Sequence, residues 1–335
     1  MKICIVIDDF NPNTGGSYVA VKEIARQLKN IKIKYIIVDK KNFFLHKKKL
    51  NDYDIFHIFG GCTLFYIKMQ LYATKLKKKI IIHPLGFYEP WSLNQKKIKK
   101  KLAWILYQKK LLLKADLIHC ASINEEKNLL KLDKRFKTTI LPFGIHDNFL
   151  KKKINFKLKK RALFFSRLLV TKGLSNLINA WVAIDNKDWN LDVIGEGQDK
   201  EIFRKMLIKN NVQNINLLKP IYGSLKKKNI FDCYDFFVLP THNENFGIAI
   251  LESLARGLPV LTTKNTPWNS IKMLNAGWVI NNSYSNLKFT LIKIFNTPNK
   301  EFIVKSNNAI KLASKFRWSV LFNRYIEVYK YLIKL

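Results

Sequence analysis

Short apolar runs alternate with amphipathic stretches along the chain, and this alternation narrows the possible folds more than any other feature. Runs at Lys2–Ile7, Ile33–Val38, Ile55–Phe59, Lys79–His83, Leu117–Cys120 and Thr139–Leu141 read as strands of a mostly parallel sheet covered on both faces. Apolar residues spaced by three and four over Tyr18–Leu28, Leu64–Lys75, Lys96–Lys114 and Glu125–Leu132 predict the helices between them. A second series follows, with strands at Arg161–Phe165, Leu191–Ile194, Ile215–Leu217, Phe236–Leu239 and Val260–Thr262. Its helices are expected over Gly173–Ile184, Lys200–Asn210, Leu225–Cys233 and Gly247–Arg256. The expected architecture is α/β: two doubly wound, Rossmann-like domains, 1–150 and 151–314, with a lysine-rich joint near Asp147–Lys160. Residues 315–335 predict one more helix, with Trp318, Phe322, Tyr325, Tyr329 and Leu332 at helical spacing.

A chain of 335 residues, 48% of them hydrophobic, can bury two separate cores. Cys4, Cys62, Cys120 and Cys233 form no CxxC pair, and three sit in apolar strand-like surroundings, which fits a reduced, cytoplasmic compartment. The first strand begins at once, with no recognisable signal peptide, and no apolar run approaches bilayer-spanning length. The net charge of +36 invites a nucleic-acid reading. The excess is spread evenly, however: 29 basic against 12 acidic residues in 1–150, and 31 against 12 in 151–335. No clustered stripe or reading module accompanies it, so no specific nucleic-acid partner is expected. A bias toward Lys, Ile and Asn accounts for the charge equally well.

Ligands of open α/β sheets collect beyond the carboxyl ends of the strands. Two such domains facing a cleft would line it with βα loops, and three loops stand out. The segment Pro240-Thr-His-Asn-Glu244-Asn245-Phe246-Gly247-Ile248-Ala-Ile-Leu-Glu252 follows a strand and opens a helix. Amides near Phe246, Gly247 and Ile248 would lack intrahelical acceptors there, which suits an anion. Glu244 before the helix and Glu252 within it can bracket a ligand; the alternative is a capping acid and a surface residue. In Ser166-Arg167-Leu-Leu-Val-Thr-Lys172-Gly173, a guanidinium and an ammonium at a strand's carboxyl end suit a diphosphate, or are simply two solvated cations. The first βα loop, Asp8 to Ser17, carries paired Gly15 and Gly16, which allow close backbone approach or make a plain turn.

Together these elements resemble glycosyltransferase family 4, retaining enzymes of the GT-B fold that use nucleotide-diphosphate sugars. The strongest stretch runs from Glu244 through Glu252 to Gly257-Leu-Pro259 and on to Thr262–Trp268. Gly195-Glu196-Gly197 and Phe316-x-Trp318 add support. Bacterial polysaccharide and lipopolysaccharide enzymes are most similar, through Pro84-Leu-Gly86-Phe-Tyr-Glu89-Pro90-Trp91. The resemblance implies that Arg167 and Lys172 hold the donor diphosphate, with Glu252 on the ribose hydroxyls and Glu244 on the transferred sugar. It also implies that Asn245, Phe246, Gly247 and Ile248 complete the donor cradle, and that Gly15 and Gly16 bring backbone against the donor. The last helix would return to the first domain.

One departure concerns position 85, where related sequences often carry His or Arg and this chain has Leu85. His83 is a candidate substitute, or else a structural strand-end histidine. No cofactor or metal is expected, since Arg167, Lys172 and the helix end can do the charge work; Asp52-Tyr53-Asp54 falls at the wrong end of its strand to hold one.

From Lys75 to Lys114 there are 12 lysines against the single acid Glu89. The basic, apolar helix pattern at 96–114 suggests docking on an anionic membrane surface, the alternative being an ordinary solvated helix. The expected partners are therefore a nucleotide-sugar donor, a saccharide or lipid-linked acceptor, and an anionic inner membrane face. Rival readings are a nucleotide-sugar epimerase, a silent GT-B relative acting as a subunit, and a nucleic-acid-binding protein.

Overall fold

The computed structural model describes residues 1–61, 63–95, 97–151 and 157–334. Cys62, Lys96, Leu335 and positions 152–156 of the expected joint lie outside the described residues. The chain forms two compact units. Unit 1 comprises Met1–Phe143 with Trp318–Leu335, and unit 2 comprises Gly144–Arg317.

In unit 1 the strands are β1 (Lys2–Ile7), β2 (Lys34–Val38), β3 (Ile55–Phe59), β4 (Lys79–His83), β5 (Leu117–Cys120) and β6 (Thr138–Ile140). They lie parallel in the order β2-β1-β3-β4-β5-β6. The interior strands are largely apolar, as in a sheet covered on both faces, and Ile3–Ile7 and Ile55–Phe59 are entirely buried. The direction of winding reverses between β1 and β3, which places the loops after these two strands beside each other. Thr63 Oγ1 donates to Asp8 Oδ1 at 2.8 Å and Asp8 N donates to Tyr66 Oη at 2.8 Å, joining them. Gly15 and Gly16 follow on this edge, where the Gly16–Asn30 helix begins.

Three histidines on the central strands of unit 1 form a directional chain with the last helix, Trp318–Lys334. His119 Nε2 lies 2.6 Å from the Leu141 carbonyl and must carry its proton there, so His119 Nδ1 accepts from His57 Nε2 at 3.1 Å. His57 Nδ1 then accepts from the Tyr329 hydroxyl at 2.9 Å. His83 stacks on His119 with ring centroids 4.2 Å apart and donates from Nδ1 to the His119 carbonyl at 2.7 Å. All three rings are fully buried. Burial therefore lowers His83 to about 4 and moves His57 and His119 well below the ordinary imidazole range. Tyr325 adds a hydroxyl donated to the Leu141 carbonyl at 3.1 Å. The last helix is thus held to the sheet by polar as well as apolar contacts.

The segment expected as one helix at 96–114 is helical over Lys97–Ala103 and Lys109–Lys114, with a π-helical turn at Trp104–Gln108 between them. The extra residue of that turn shifts the register of the helix faces. Trp104 packs edge-on against Tyr88 and Phe136, and Gln108 and Leu112 are buried. Ile98, Leu102, Ile105 and Leu106 are left facing outward.

Unit 2 contains β7 (Arg161–Phe165), β8 (Asn190–Ile194), β9 (Ile215–Leu218), β10 (Phe236–Leu239), β11 (Val260–Thr263) and β12 (Gly277–Ile280). Their parallel order is β12-β11-β10-β7-β8-β9. This is the dinucleotide-binding order, whose reversal of winding lies between β7 and β10. Four elements beyond Thr263 were not expected from the sequence: β12 and the helices Ser270–Met273, Tyr284–Phe295 and Asn299–Ser314. The strand and the Ser270–Met273 helix are only four residues long, and the two longer helices bury residues at spacings of three and four, a pattern blurred by the outward Phe289 and Ile292 in the first and the buried polar Lys305 and Ser306 in the second. Both units have the GT-B type of doubly wound sheet.

Candidate functional site

The loops that follow β7 and β10 leave the sheet of unit 2 side by side, at its switch point. They are stitched together by backbone. His242 N donates to the Thr171 carbonyl at 2.8 Å, and Thr241 Oγ1 reaches the same oxygen at 3.1 Å. Gly173 lies against Pro240 in the left-handed conformation, φ 75°, and a Cβ there would fall 1.9 Å from the Pro240 carbonyl oxygen. Only glycine permits both the turn and the approach. On the other side, Leu168 N donates to the Glu196 carbonyl at 2.9 Å. A Cβ on Gly195 would meet the Ser166 oxygen at 1.9 Å, so the loop after β8 also presses on the Arg167 turn.

This scaffold brings the predicted charged residues together. Lys172 Nζ lies 2.7 Å from Glu244 Oε2, both side chains being largely buried. Arg167 is exposed at the end of β7, and among the described residues its guanidinium has no ion-pair partner. Asn245 and Phe246 lead into the Ile248–Ala255 helix, which Gly247 caps at φ 83°, ψ 64°. The first bond inside this helix runs from Leu251 N to the Gly247 oxygen at 3.1 Å, so the amides of its first turn, Ile248 to Ile250, have no acceptor within the helix and suit an anion. Phe246 itself is a core residue. Its ring packs with Trp268 and Phe316 at 5.5 and 6.0 Å, and its carbonyl accepts from the Trp268 indole. Its ring therefore belongs to the core of unit 2 and does not face a ligand.

Glu252 is enclosed, and the reason was not legible in the sequence. Lys227, from the Ser224–Phe231 helix, donates to both carboxylate oxygens at 2.7 and 2.9 Å. The predicted residues of unit 2 therefore lie along one edge of one sheet. Gly15 and Gly16 occupy the corresponding edge of unit 1, the carboxyl end of β1.

His83 ends β4, but its ring is enclosed by Phe59, His119 and Phe143 and none of it reaches solvent. Leu85, two residues on, holds φ 54°, with Gly86 at 74°. The turn is fastened by Glu125, whose carboxylate accepts from Gly86 N at 3.0 Å and Ala121 N at 2.7 Å. Asp54, of the Asp-Tyr-Asp stretch, accepts from Lys2 N at 2.7 Å at the opposite edge of the sheet. Among the described residues, no group of three or more His, Cys, Asp or Glu side chains could hold a metal ion.

The family described as glycosyl transferases group 1 matches residues 146–311, which include Arg167, Lys172, Lys227, Glu244 and Glu252. The chain is 26% identical over 239 residues to 2-deoxystreptamine N-acetyl-D-glucosaminyltransferase of Niallia circulans. That alignment covers 65% of this chain and 60% of the relative, less than two thirds of its length. A protein of 41.2 kDa from the cps region of Klebsiella pneumoniae is 24% identical over 308 residues, covering 84% of this chain and 80% of its own. Among solved structures, Anabaena HepE in complex with UDP-glucose superposes with a TM-score of 0.79 at 15% identity, covering 98% of this chain and 99% of that one.

Proposed function

We propose, from the match of residues 146–311 to the glycosyl transferases group 1 family, that this chain is a sugar-transferring enzyme. It takes the sugar from a nucleotide-diphosphate donor and places it on a saccharide or lipid-linked saccharide of the cell surface. The observation that carries this reading is the meeting of the Arg167–Lys172 turn with the Glu244–Glu252 segment at a switch point, sealed by the Lys172–Glu244 pair. Support comes from the names of the relatives: one transfers N-acetylglucosamine, one is encoded in a cps region, and one was crystallised with UDP-glucose.

In this mechanism the donor's diphosphate lies against Arg167, Lys172 and the amides opening the Ile248–Ala255 helix. As the glycosidic bond to the departing phosphate breaks, negative charge grows on the nucleotide diphosphate, and these groups are already oriented to meet it. Lys172 bridges the diphosphate and Glu244, which places Glu244 beside the sugar hydroxyls. Glu252 accepts hydrogen bonds from the ribose. The anomeric configuration is retained, and the cations with the helix end carry the charge stabilisation without metal. A panel of nucleotide diphosphates and nucleotide sugars, scored by thermal shift and then by transfer in EDTA, tests this. At least one donor should stabilise the protein and be consumed; a panel with no stabilising member would sink the proposal.

The acceptor side of the proposal rests on the Lys97–Lys114 segment. Ile98 is 86% exposed and Ile105 61% exposed, amid Lys97, Lys99, Lys101, Lys109 and Lys110. Outward apolar groups ringed by ammonium groups suit an anionic lipid surface, where each basic residue contributes roughly 1 kcal/mol. No helix among the described residues is long and apolar enough to cross a membrane. The chain should float with phosphatidylglycerol vesicles at low salt and much less at high salt. Replacing Ile98 and Ile105 with Ser should abolish flotation; no flotation of the unaltered chain at low salt would remove the membrane from the proposal.

A further inference from the structure

Three consecutive lysines, Lys226, Lys227 and Lys228, lie on the Ser224–Phe231 helix, and the middle one is treated differently by the fold. The Lys227 side chain is 12% exposed and the Glu252 side chain it meets is 8% exposed. Both carboxylate oxygens are engaged, at 2.7 and 2.9 Å. The ammonium also lies 5.3 Å from the ring centre of Phe165, the last residue of β7 and two positions before Arg167. Lys227 therefore connects its own helix, the end of β7 and the Ile248–Ala255 helix at the edge where the donor is proposed to sit.

Stability alone is a weak reason for such a pair. Removing two charges from water costs several kcal/mol each, and well-packed apolar residues often serve as well or better. A carboxylate, however, offers about four acceptor positions. Lys227 fills one on each oxygen and leaves one on each. Two acceptors on one rigidly held carboxylate match two neighbouring hydroxyl donors, as on the 2′ and 3′ carbons of a ribose.

We infer that Lys227 is a positioning residue for the donor's ribose, holding the Glu252 carboxylate in the one orientation that presents its two remaining acceptor positions to vicinal hydroxyls. The inference deepens the proposed function and rests on the ribose role of Glu252. A donor lacking one of those hydroxyls loses a hydrogen bond to a charged group, which corresponds to about tenfold or more in affinity. Without Lys227 the carboxylate is free to rotate, and the difference between the two donors shrinks.

The test measures binding of UDP, GDP and ADP, each beside its 2′-deoxy counterpart, to the full chain and to Lys227→Met. The unaltered protein should prefer the ribonucleotide about tenfold or more for whichever base it binds. Lys227→Met should reduce that preference to about twofold or less, and raise the donor KM more than it lowers kcat, because the contact already exists in the ground state. Lys227→Arg should recover part of the preference. Since Lys227→Met leaves a buried carboxylate unpaired, the double variant Lys227→Met with Glu252→Gln serves as the folding control. It should melt close to the unaltered protein and show no ribose preference.

A folded Lys227→Met protein that discriminates as well as the unaltered chain overturns the inference alone, and a folded double variant that does so removes the ribose role of Glu252 together with the inference. An unaltered chain that binds nucleotide without ribose preference removes the ribose role of Glu252 and this inference with it. Failure to bind these three or any other member of the nucleotide and nucleotide-sugar panel removes the proposed function.

Discussion

Arg167→Ala is expected to lower kcat about 100- to 1000-fold, the loss typical of removing one preoriented donor from developing negative charge. The chain should remain folded. Arg167 is exposed at the end of β7 and, among the described residues, makes no ion pair whose loss would expose a buried partner. Surface substitutions of that kind usually change stability by about 0.5 kcal/mol or less. This makes Arg167 a cleaner probe than Lys172, whose removal would strand Glu244 beside it. Arg167→Lys should recover only part of the activity, because an ammonium cannot fork onto two phosphate oxygens. Steady-state kinetics with the donor found in the nucleotide-sugar panel, together with circular dichroism of both variants, decides the matter. Turnover within twofold of the unaltered enzyme would show that Arg167 takes no part in the reaction.

The second large effect is acid sensitivity of unit 1. His57, His83 and His119 are buried and neutral, with burial holding each below its ordinary value. In the unfolded chain each titrates near 6.5, so below that pH the unfolded state binds more protons than the folded one. The stability these histidines permit is therefore complete above about pH 6.5. The His83 share is lost progressively as pH falls toward its folded value of about 4. At pH 5 the His83 share of the loss is about 2 kcal/mol, from 1.36 kcal/mol per pH unit between the two values. His57 and His119 act in the same direction. Protonating either would also break the one-way chain from Tyr329 to the Leu141 carbonyl, because a doubly protonated ring has no acceptor to offer. Urea unfolding at pH 7.5 and pH 5, followed by near-UV signals of the tyrosine-rich last helix, should show this destabilisation. His83→Gln should lose about 2 kcal/mol less than the unaltered chain over the same interval. Equal pH dependence of the two proteins would mean that His83 is already relieved by solvent or structural rearrangement.

The histidines also show where sequence reading reaches its limit. His57 and His83 lie on runs whose apolar character already marks them as buried strands, and the observed strand bounds agree with those runs. Nothing local states that β3 and β4 are neighbours with β5 beyond, or that a helix more than two hundred positions later brings a hydroxyl to His57. The π-helical turn at Trp104–Gln108 illustrates the same limit on a smaller scale. The apolar period predicts one continuous helix there and gives no sign of the π-helical turn, in which Trp104 packs inward and Ile105 faces out.

Residue order alone determined the alternation of strand and helix, because a backbone buried on both faces must be apolar in short runs and its crossovers must be amphipathic. It also determined the loops that matter, since Arg167, Gly173 and Glu244–Gly247 follow directly on strand ends where such sheets bind ligands. Which charges meet was decided only in three dimensions. Lys227 is one lysine in a run of three, indistinguishable from its neighbours until the helix on which it rides is rotated against Glu252 and Phe165. That rotation is set by packing among elements distant in sequence, and no spacing within a single segment encodes it.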